Sequence, residues 1–370
     1  LTGCYFMKKV AILSAVNIKH MSLISLYTDI LKNHEVQVDI IYMDKYGEDE
    51  VFDCDNKYRY VKVIDRNWNP IKKTFCYLSF FPYAVKILNK NKYDFVIVWN
   101  DVAIFMFADY LRRKYKGKYC VNIRDNMKYD IKIFQRRYEK CFLDSAFNTV
   151  SSKGYFDFLP KTPEYLQIHS LNLDVLTGMT VHDRMRSEGE PIRIGFVGYV
   201  RFFEQNKKLL DVFKNDKRFE LHYYGKGAEI LEKYAKENGI TNTVFHGGFP
   251  VSDTAKYLER IDIINNLYGN DTLNLQKAIS IKFYHALYSK IPILVCDNTY
   301  VGKLAKDLGI GFEVRKIDRF MKEALYNWYT SLNFQTLSSS CDRFLQHAMY
   351  ENKMLEDVFW GCLNDELPSK

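Results

Sequence analysis

The chain has 370 residues, longer than one ordinary hydrophobic core supports, so two domains are expected. Its 47% hydrophobic and 26% charged content excludes a disordered or fibrous chain. The net charge of +8 favours acidic partners, such as nucleotides, nucleic acid or an anionic membrane surface, over basic ones. In chain order, Met7-Lys8-Lys9 followed by VAILSAV reads as a start site and a first strand, with residues 1–6 as upstream sequence. The runs SLISLYTDILKNHE, VQVDIIYM, DFVIVW, a helix over 102–115 and YCVNI then alternate helix and strand, the order that demands crossover helices and a parallel sheet. A short YLQIH run precedes the polar, non-periodic TGMTVHDRMRSEGEP (Thr177–Pro191), which reads as the domain linker. Beyond it the alternation restarts: IRIGFVG, a helix through KKLLDVF, FELHYYG, a helix over 228–238, TVFHGGF, DIINNLYG, a further helix and PILVC. Residues 342–363 have the apolar spacing of a final long helix. The expected architecture is two doubly wound α/β units in series, which bind ligands at the carboxyl ends of their strands.

The eight cysteines are scattered, with no CxxC pair and no zinc-like Cys/His spacing, and read as reduced thiols of a cytosolic protein. No apolar run approaches the roughly 20 residues that cross a bilayer. The nearest, AIFMFADYL, is interrupted by Asp109, so membrane contact is expected to be peripheral. Trp68, Lys72, Lys73, Phe75, Tyr77, Phe80, Phe81, Tyr83 and Lys86 interleave aromatics with bases, a pattern suited to headgroup level at a membrane or to a core with solvated lysines. RRKYKGK (Arg112–Lys118) adds positive charge nearby in sequence. Nucleic acid is disfavoured, because no RNP-like, KH-like or helix-turn-helix signature accompanies the bases.

Four stretches carry candidate chemistry. GFVGYVR closes a strand at Gly198 and then offers Arg201, with Lys207 and Lys208 in the following helix. Glycine lets a ligand approach the backbone and arginine binds phosphate bidentately. YYGKG repeats the arrangement with Gly225, Lys226 and Gly227. In SIKFYHALYSKIPILV, Ser280 is a candidate N-cap, Lys282 falls in the first helical turn and His285 lies on the same face. An ammonium there opposes the helix dipole by about 0.3 kcal/mol or more, and a docked anion would reverse the sign. RDN (Arg124–Asn126) follows a strand directly and is expected at a ligand-facing carboxyl end. DCD (Asp53–Asp55) matches an acid-x-acid metal pair superficially but lies in a polar segment away from such ends, which argues against it as a metal site.

GFVGYVR, LHYYGKG, FHGGFP, IDIINNLYG, SIKFYHALYSKIPILV and GIGFEV resemble glycosyltransferase family 4, of GT-B fold, particularly its capsule and exopolysaccharide members; VNIRDN matches more loosely. The resemblance implies two Rossmann-like domains facing a cleft: an acceptor domain over 7–176, a linker over 177–191, a donor domain over 192–340, and a helix over 341–370 returning to the first domain. It implies sugar transfer, with retention, from a nucleotide diphosphate sugar to a lipid-linked or polysaccharide acceptor in cell-surface polysaccharide synthesis. The protein would be cytoplasmic and peripheral to the inner face of the cell membrane, with no cofactor and no metal. By the resemblance Arg201, Lys207 and Lys282 would hold the diphosphate and His285 would meet the ribose. Gly198, Gly225, Lys226, Gly227, Tyr268 and Ser280 would complete the donor site, and Arg124, Asp125 and Asp271 would flank the sugar and acceptor. The paired glutamates of the family fall at Lys277 and His285, and SAVNIKHMS stands where a Gly-rich turn follows the first strand. Two alternatives stand beside this reading: a nucleotide-sugar epimerase, which shares the paired-domain layout, and, from the missing glutamates, a catalytically silent scaffold of a polysaccharide assembly complex.

Overall fold

The computed structural model describes residues 7–65, 67–125, 131–161, 163–171, 173–187 and 189–364. Among these, the short apolar runs become strands and the amphipathic runs become the helices between them. The first sheet contains β1 (Lys9–Ser14), β2 (Gln37–Asp44), β3 (Asn56–Val61), β4 (Phe95–Trp99), β5 (Tyr119–Ile123), β6 (Phe147–Val150) and β7 (Tyr165–Gln167). Its order is β3-β2-β1-β4-β5-β6-β7, and every pair is parallel. All residues of β4 and β5 are buried, as strands covered on both faces must be.

The second sheet contains β8 (Ile192–Val197), β9 (Phe219–Tyr224), β10 (Thr243–His246), β11 (Ile263–Asn266), β12 (Ile293–Cys296) and β13 (Gly311–Val314). It is also wholly parallel, in the order β10-β9-β8-β11-β12-β13. The order reverses between β8 and β11, so the connections leaving their carboxyl ends run to opposite sides and open a crevice for a ligand. Two doubly wound parallel sheets in series are therefore present, as the alternation of runs predicts.

The chain forms two compact units, one from the described residues up to His169 together with those from Glu351 onward, the other from Ser170 to Tyr350. The polar stretch Thr177–Pro191 belongs to the second unit. The last helix, Phe334–Leu363, begins in the second unit and ends in the first. Its Leu337 and Cys341 join the core around Phe283 and Leu287, whereas Leu355, Phe359 and Leu363 join the core around Phe95 and Trp99. Among the described residues no helix is long and apolar enough to cross a membrane.

Candidate functional site

In the second unit the strands β8 and β9 end in two turns that continue the sheet pairing. The Gly198 N–H donates to the Tyr224 carbonyl and the Val200 N–H to the Lys226 carbonyl, both at 2.9 Å. A Cβ on Gly225 would stand 1.9 Å from the Gly198 carbonyl oxygen, and one on Gly227 would stand 2.6 Å from that of Val200. Both residues also have positive φ, so glycine is required there by the neighbouring turn itself. Lys226, between them, is exposed, as is Arg201 at the end of the first turn. The Arg201 guanidinium lies over the Phe202 ring, 5.4 Å from its centroid.

The helix Ile281–Ser289 starts beside these turns. Ser280 has the extended backbone of an N-cap, but its hydroxyl donates to the Asn266 side-chain oxygen at 2.8 Å and caps no helix N–H. Lys282 is only 4% exposed. Its Nζ donates to the Val197 carbonyl at the end of β8 and stands over the Phe196 ring, 3.7 Å from the centroid. The ammonium expected from the sequence to need an external anion thus already has a carbonyl and an aromatic face. Burial, reinforced by the charge of Arg201, lowers its pKa to about 7. His285, one turn on, is 8% exposed and its Nδ1 has no hydrogen-bond partner. Burial and then Lys282 push the imidazole down to about 3, so it stays neutral at ordinary pH and offers one donor and one acceptor.

A cavity of about 630 Å³ opens between the segment Phe202–Gln205 and the loop after β11, from Tyr268 to Thr272, with Leu275. Tyr268 stacks on Phe202 at 4.6 Å, and Asp271 is exposed on the loop. Burial holds the Tyr268 hydroxyl well above its ordinary pKa, so it remains protonated. Lys207 does not line this cavity: it pairs with Glu204 at 3.0 Å and lies over the Tyr234 ring. Gln205, two residues earlier, takes the lining position.

In the first unit Arg124 follows β5 directly, with its carbonyl accepting from the Tyr155 hydroxyl at 2.6 Å and the Ser151 hydroxyl at 3.2 Å. Asp125 is exposed beside it, and Asn126 lies outside the described residues. The connection after β1 carries no glycine turn; the Glu50 carboxylate accepts the N–H groups of Ile18 and Lys19 at 2.9 and 2.8 Å. A side chain therefore fills the amides where an external anion would otherwise dock. Asp53 pairs with Lys32, and Asp55 accepts the Val38 N–H at 2.7 Å, so both acids of DCD have structural partners. Among the described residues no group of three His, Cys, Asp or Glu side chains is placed to hold a metal ion.

No protein-family model and no curated protein matches the chain. Solved structures do. A glycosyltransferase from Rickettsia africae superposes with a TM-score of 0.68 over 97% of this chain and 99% of its own, at 10% identity. Sucrose-phosphate synthase from Thermosynechococcus elongatus gives 0.67 over 96% and 100%, at 11% identity. Anabaena HepE, solved in complex with UDP, gives 0.64 over 96% and 100%, at 10% identity. The fold is GT-B.

In the second unit, Gly198, Ser280, Lys282 and His285 gather around the ends of β8 and β11, and Tyr268 and Asp271 line the adjoining cavity. Lys226 and Gly227 sit one strand over, at the end of β9. Asn265 and Asn266 were not singled out by sequence reading. Asn265 donates to the Asn206 side chain at 2.9 Å and Asn266 accepts from Ser280, and together they tie β11 to both neighbouring segments. The signal was present in IDIINNLYG: two amides at the end of an otherwise apolar strand are costly unless both are paired.

Proposed function

We propose that the protein is a glycosyltransferase that takes a sugar from a nucleotide diphosphate sugar and passes it, with retention, to a lipid-linked or polysaccharide acceptor in cell-surface polysaccharide synthesis. The observation that carries this reading is the pair Lys282 and His285. A buried amine and a buried imidazole whose Nδ1 has no hydrogen-bond partner stand side by side at the carboxyl end of β8, the ligand-facing edge of a GT-B half. As the bond between the anomeric carbon and the diphosphate breaks, negative charge grows on the leaving oxygen. A lysine that is short of water and an arginine free to bind bidentately at its side stabilise that charge more than either does in bulk solvent.

Arg201 and Lys282 then hold the diphosphate, while neutral His285 accepts a hydrogen bond from the ribose. The backbone at Gly198 and the Lys226 turn bound the nucleotide. The donor sugar occupies the cavity beside Tyr268 and Asp271, with Arg124 and Asp125 of the other unit on the acceptor. Lys207, engaged by Glu204, is a secondary contact that would have to turn from that partner. No cofactor or metal is needed in this scheme, because basic side chains neutralise the leaving group. A lipid-linked acceptor places the enzyme on the cytoplasmic face of the cell membrane.

Calorimetric titration of UDP and GDP into wild type and Lys282→Met tests the site. Micromolar binding of one nucleotide with a loss of at least tenfold in the variant is expected, and equal affinity for both proteins removes Lys282 from the site. Mass analysis of donor incubated with and without membrane extract distinguishes the chemistries. A mass increment on the acceptor supports transfer, an isomerised donor without acceptor indicates an epimerase, and binding without turnover across a donor panel indicates a scaffold.

A further inference from the structure

The helix Pro70–Leu78 of the first unit is turned the wrong way for a helix of a buried α/β layer. Asn69 caps it by accepting the Lys72 N–H at 2.8 Å, and Pro70 begins it. Cys76 is its one buried residue. Ile71, Phe75 and Leu78, spaced four and three apart and so on one face, are 70%, 68% and 51% exposed. The surrounding chain is well packed: Phe80 is buried, Phe81 stacks on Phe107, and the Tyr83 hydroxyl donates to the Arg59 carbonyl. The basic-aromatic stretch thus divides into core aromatics and one outward apolar face. Val61 and Val63, at the end of the edge strand β3 and just beyond it, are also exposed.

The charged residues lining this face have one sign. A shallow groove of about 370 Å³ runs along the helix, lined by Ile71, Phe75 and Cys76 with Asn69 and Ser79, and its charged members are Lys62 and Lys72. The helix itself contains two lysines and no acid. Lys72 lies over the Trp68 ring, 3.5 Å from its centroid, so an aromatic body is held against the lysine stem. By contrast, the basic run at 112–118 does not add to this face as a free patch, because Arg112 and Lys116 both pair with Asp144.

We infer that the Pro70–Leu78 face seats the protein on an anionic lipid bilayer, with Ile71, Phe75 and Leu78 entering the boundary between headgroups and acyl chains and Lys62 and Lys72 meeting the anionic headgroups. Apolar side chains in a groove whose charged lining is Lys62 and Lys72 match a lipid surface, whose apolar depth and negative charge are stacked in that order. A second copy of the chain fits poorly, since pairing the face with itself would bring Lys62 and Lys72 against like charges. The inference deepens the membrane part of the proposed function but is independent of any turnover.

Co-sedimentation of the full chain with vesicles of phosphatidylcholine alone, and of phosphatidylcholine with phosphatidylglycerol, tests it. Wild type binds the mixed vesicles at least tenfold better, with a blue shift in tryptophan emission that Trp68→Phe reduces. Phe75→Ser with Ile71→Ser abolishes binding, and Lys62→Ala with Lys72→Ala removes the preference for phosphatidylglycerol. These substitutions change exposed side chains, and unchanged circular dichroism and nucleotide affinity show that the fold and the second unit are intact. Failure of wild type to bind the mixed vesicles, or binding unaffected by Phe75→Ser with Ile71→Ser, overturns the inference. So does a wild-type dimer in light scattering that the same pair of changes makes monomeric. Vesicle binding without sugar transfer would leave this face standing while removing the proposed enzyme.

Discussion

Lys282 loses most of its hydration on folding, and with Arg201 nearby its pKa falls from 10.5 to about 7. Between those two values the unfolded chain binds the proton and the folded chain does not, so this residue makes stability rise with pH from about 7 to 10.5. An arriving diphosphate reverses the preference and draws a proton onto the amine. Nucleotide affinity is therefore expected to fall by up to about tenfold per pH unit above 7, with proton uptake visible as a dependence of the binding enthalpy on buffer ionisation. Lys282→Met should lose both. His285 acts in the same direction at lower pH: folded at about 3 and unfolded at its ordinary 6.5, it makes stability decline as pH falls through that window. Urea unfolding of His285→Leu, which has nothing to protonate, should show a shallower decline between pH 6 and pH 4 than wild type. Neither value could be read from SIKFYHALYSKIPILV, because each is set by burial, and the carbonyl that Lys282 meets is 85 residues away. Spacing alone did place the two residues on one face.

Turns and caps show where local sequence stops being sufficient. The strand runs and most helix bounds follow from apolar periodicity, down to YCVNI as β5, because those signals depend only on neighbours in the chain. Ser280 illustrates the limit: its position is that of a cap, yet Asn266 takes its hydroxyl, and a cap competes with whatever polar partner the fold brings near. Glu50 illustrates it again, filling the amides after β1 from 32 residues away. The glycines of YYGKG were legible as a place where a ligand could approach the backbone, but what they accommodate is the turn from Gly198 to Val200. Gly225→Ala should accordingly destabilise the second unit by about 3 kcal/mol or more, since its Cβ meets rigid backbone and its φ is strained. In urea titrations the loss should appear without any nucleotide present, which separates packing from ligand contact.

The last helix links the two units through different side chains at its two ends, and their energetics separate accordingly. Its first-unit end is held by Glu351, which accepts from His169 at 2.5 Å and Lys153 at 2.9 Å. Burial pushes the Glu351 carboxyl up, but the pairs with His169 and Lys153 outweigh it and hold the group at about 2. Its contribution is complete above its ordinary 4.5 and fades as pH falls toward 2, so Glu351→Gln should cost about 2 kcal/mol at neutral pH and progressively less in acid. Farther along, Phe359 packs edge-on against Phe95 at 5.0 Å and Phe147 at 5.7 Å, inside the first sheet's core. Phe359→Ala leaves a cavity there and should cost about 3–5 kcal/mol, whereas the second unit's core, built around Phe283 and Leu337, loses nothing. Two units with separate cores need not unfold together. Calorimetry of Phe359→Ala should therefore show one transition moved down by several degrees and one unmoved. If the nucleotide site lies in the second unit, saturating UDP or GDP should raise only the unmoved transition, because a ligand stabilises the unit whose native state binds it. A nucleotide that instead rescued the Phe359→Ala transition would place the binding energy in the first unit and displace Lys282 and His285 from the centre of the site.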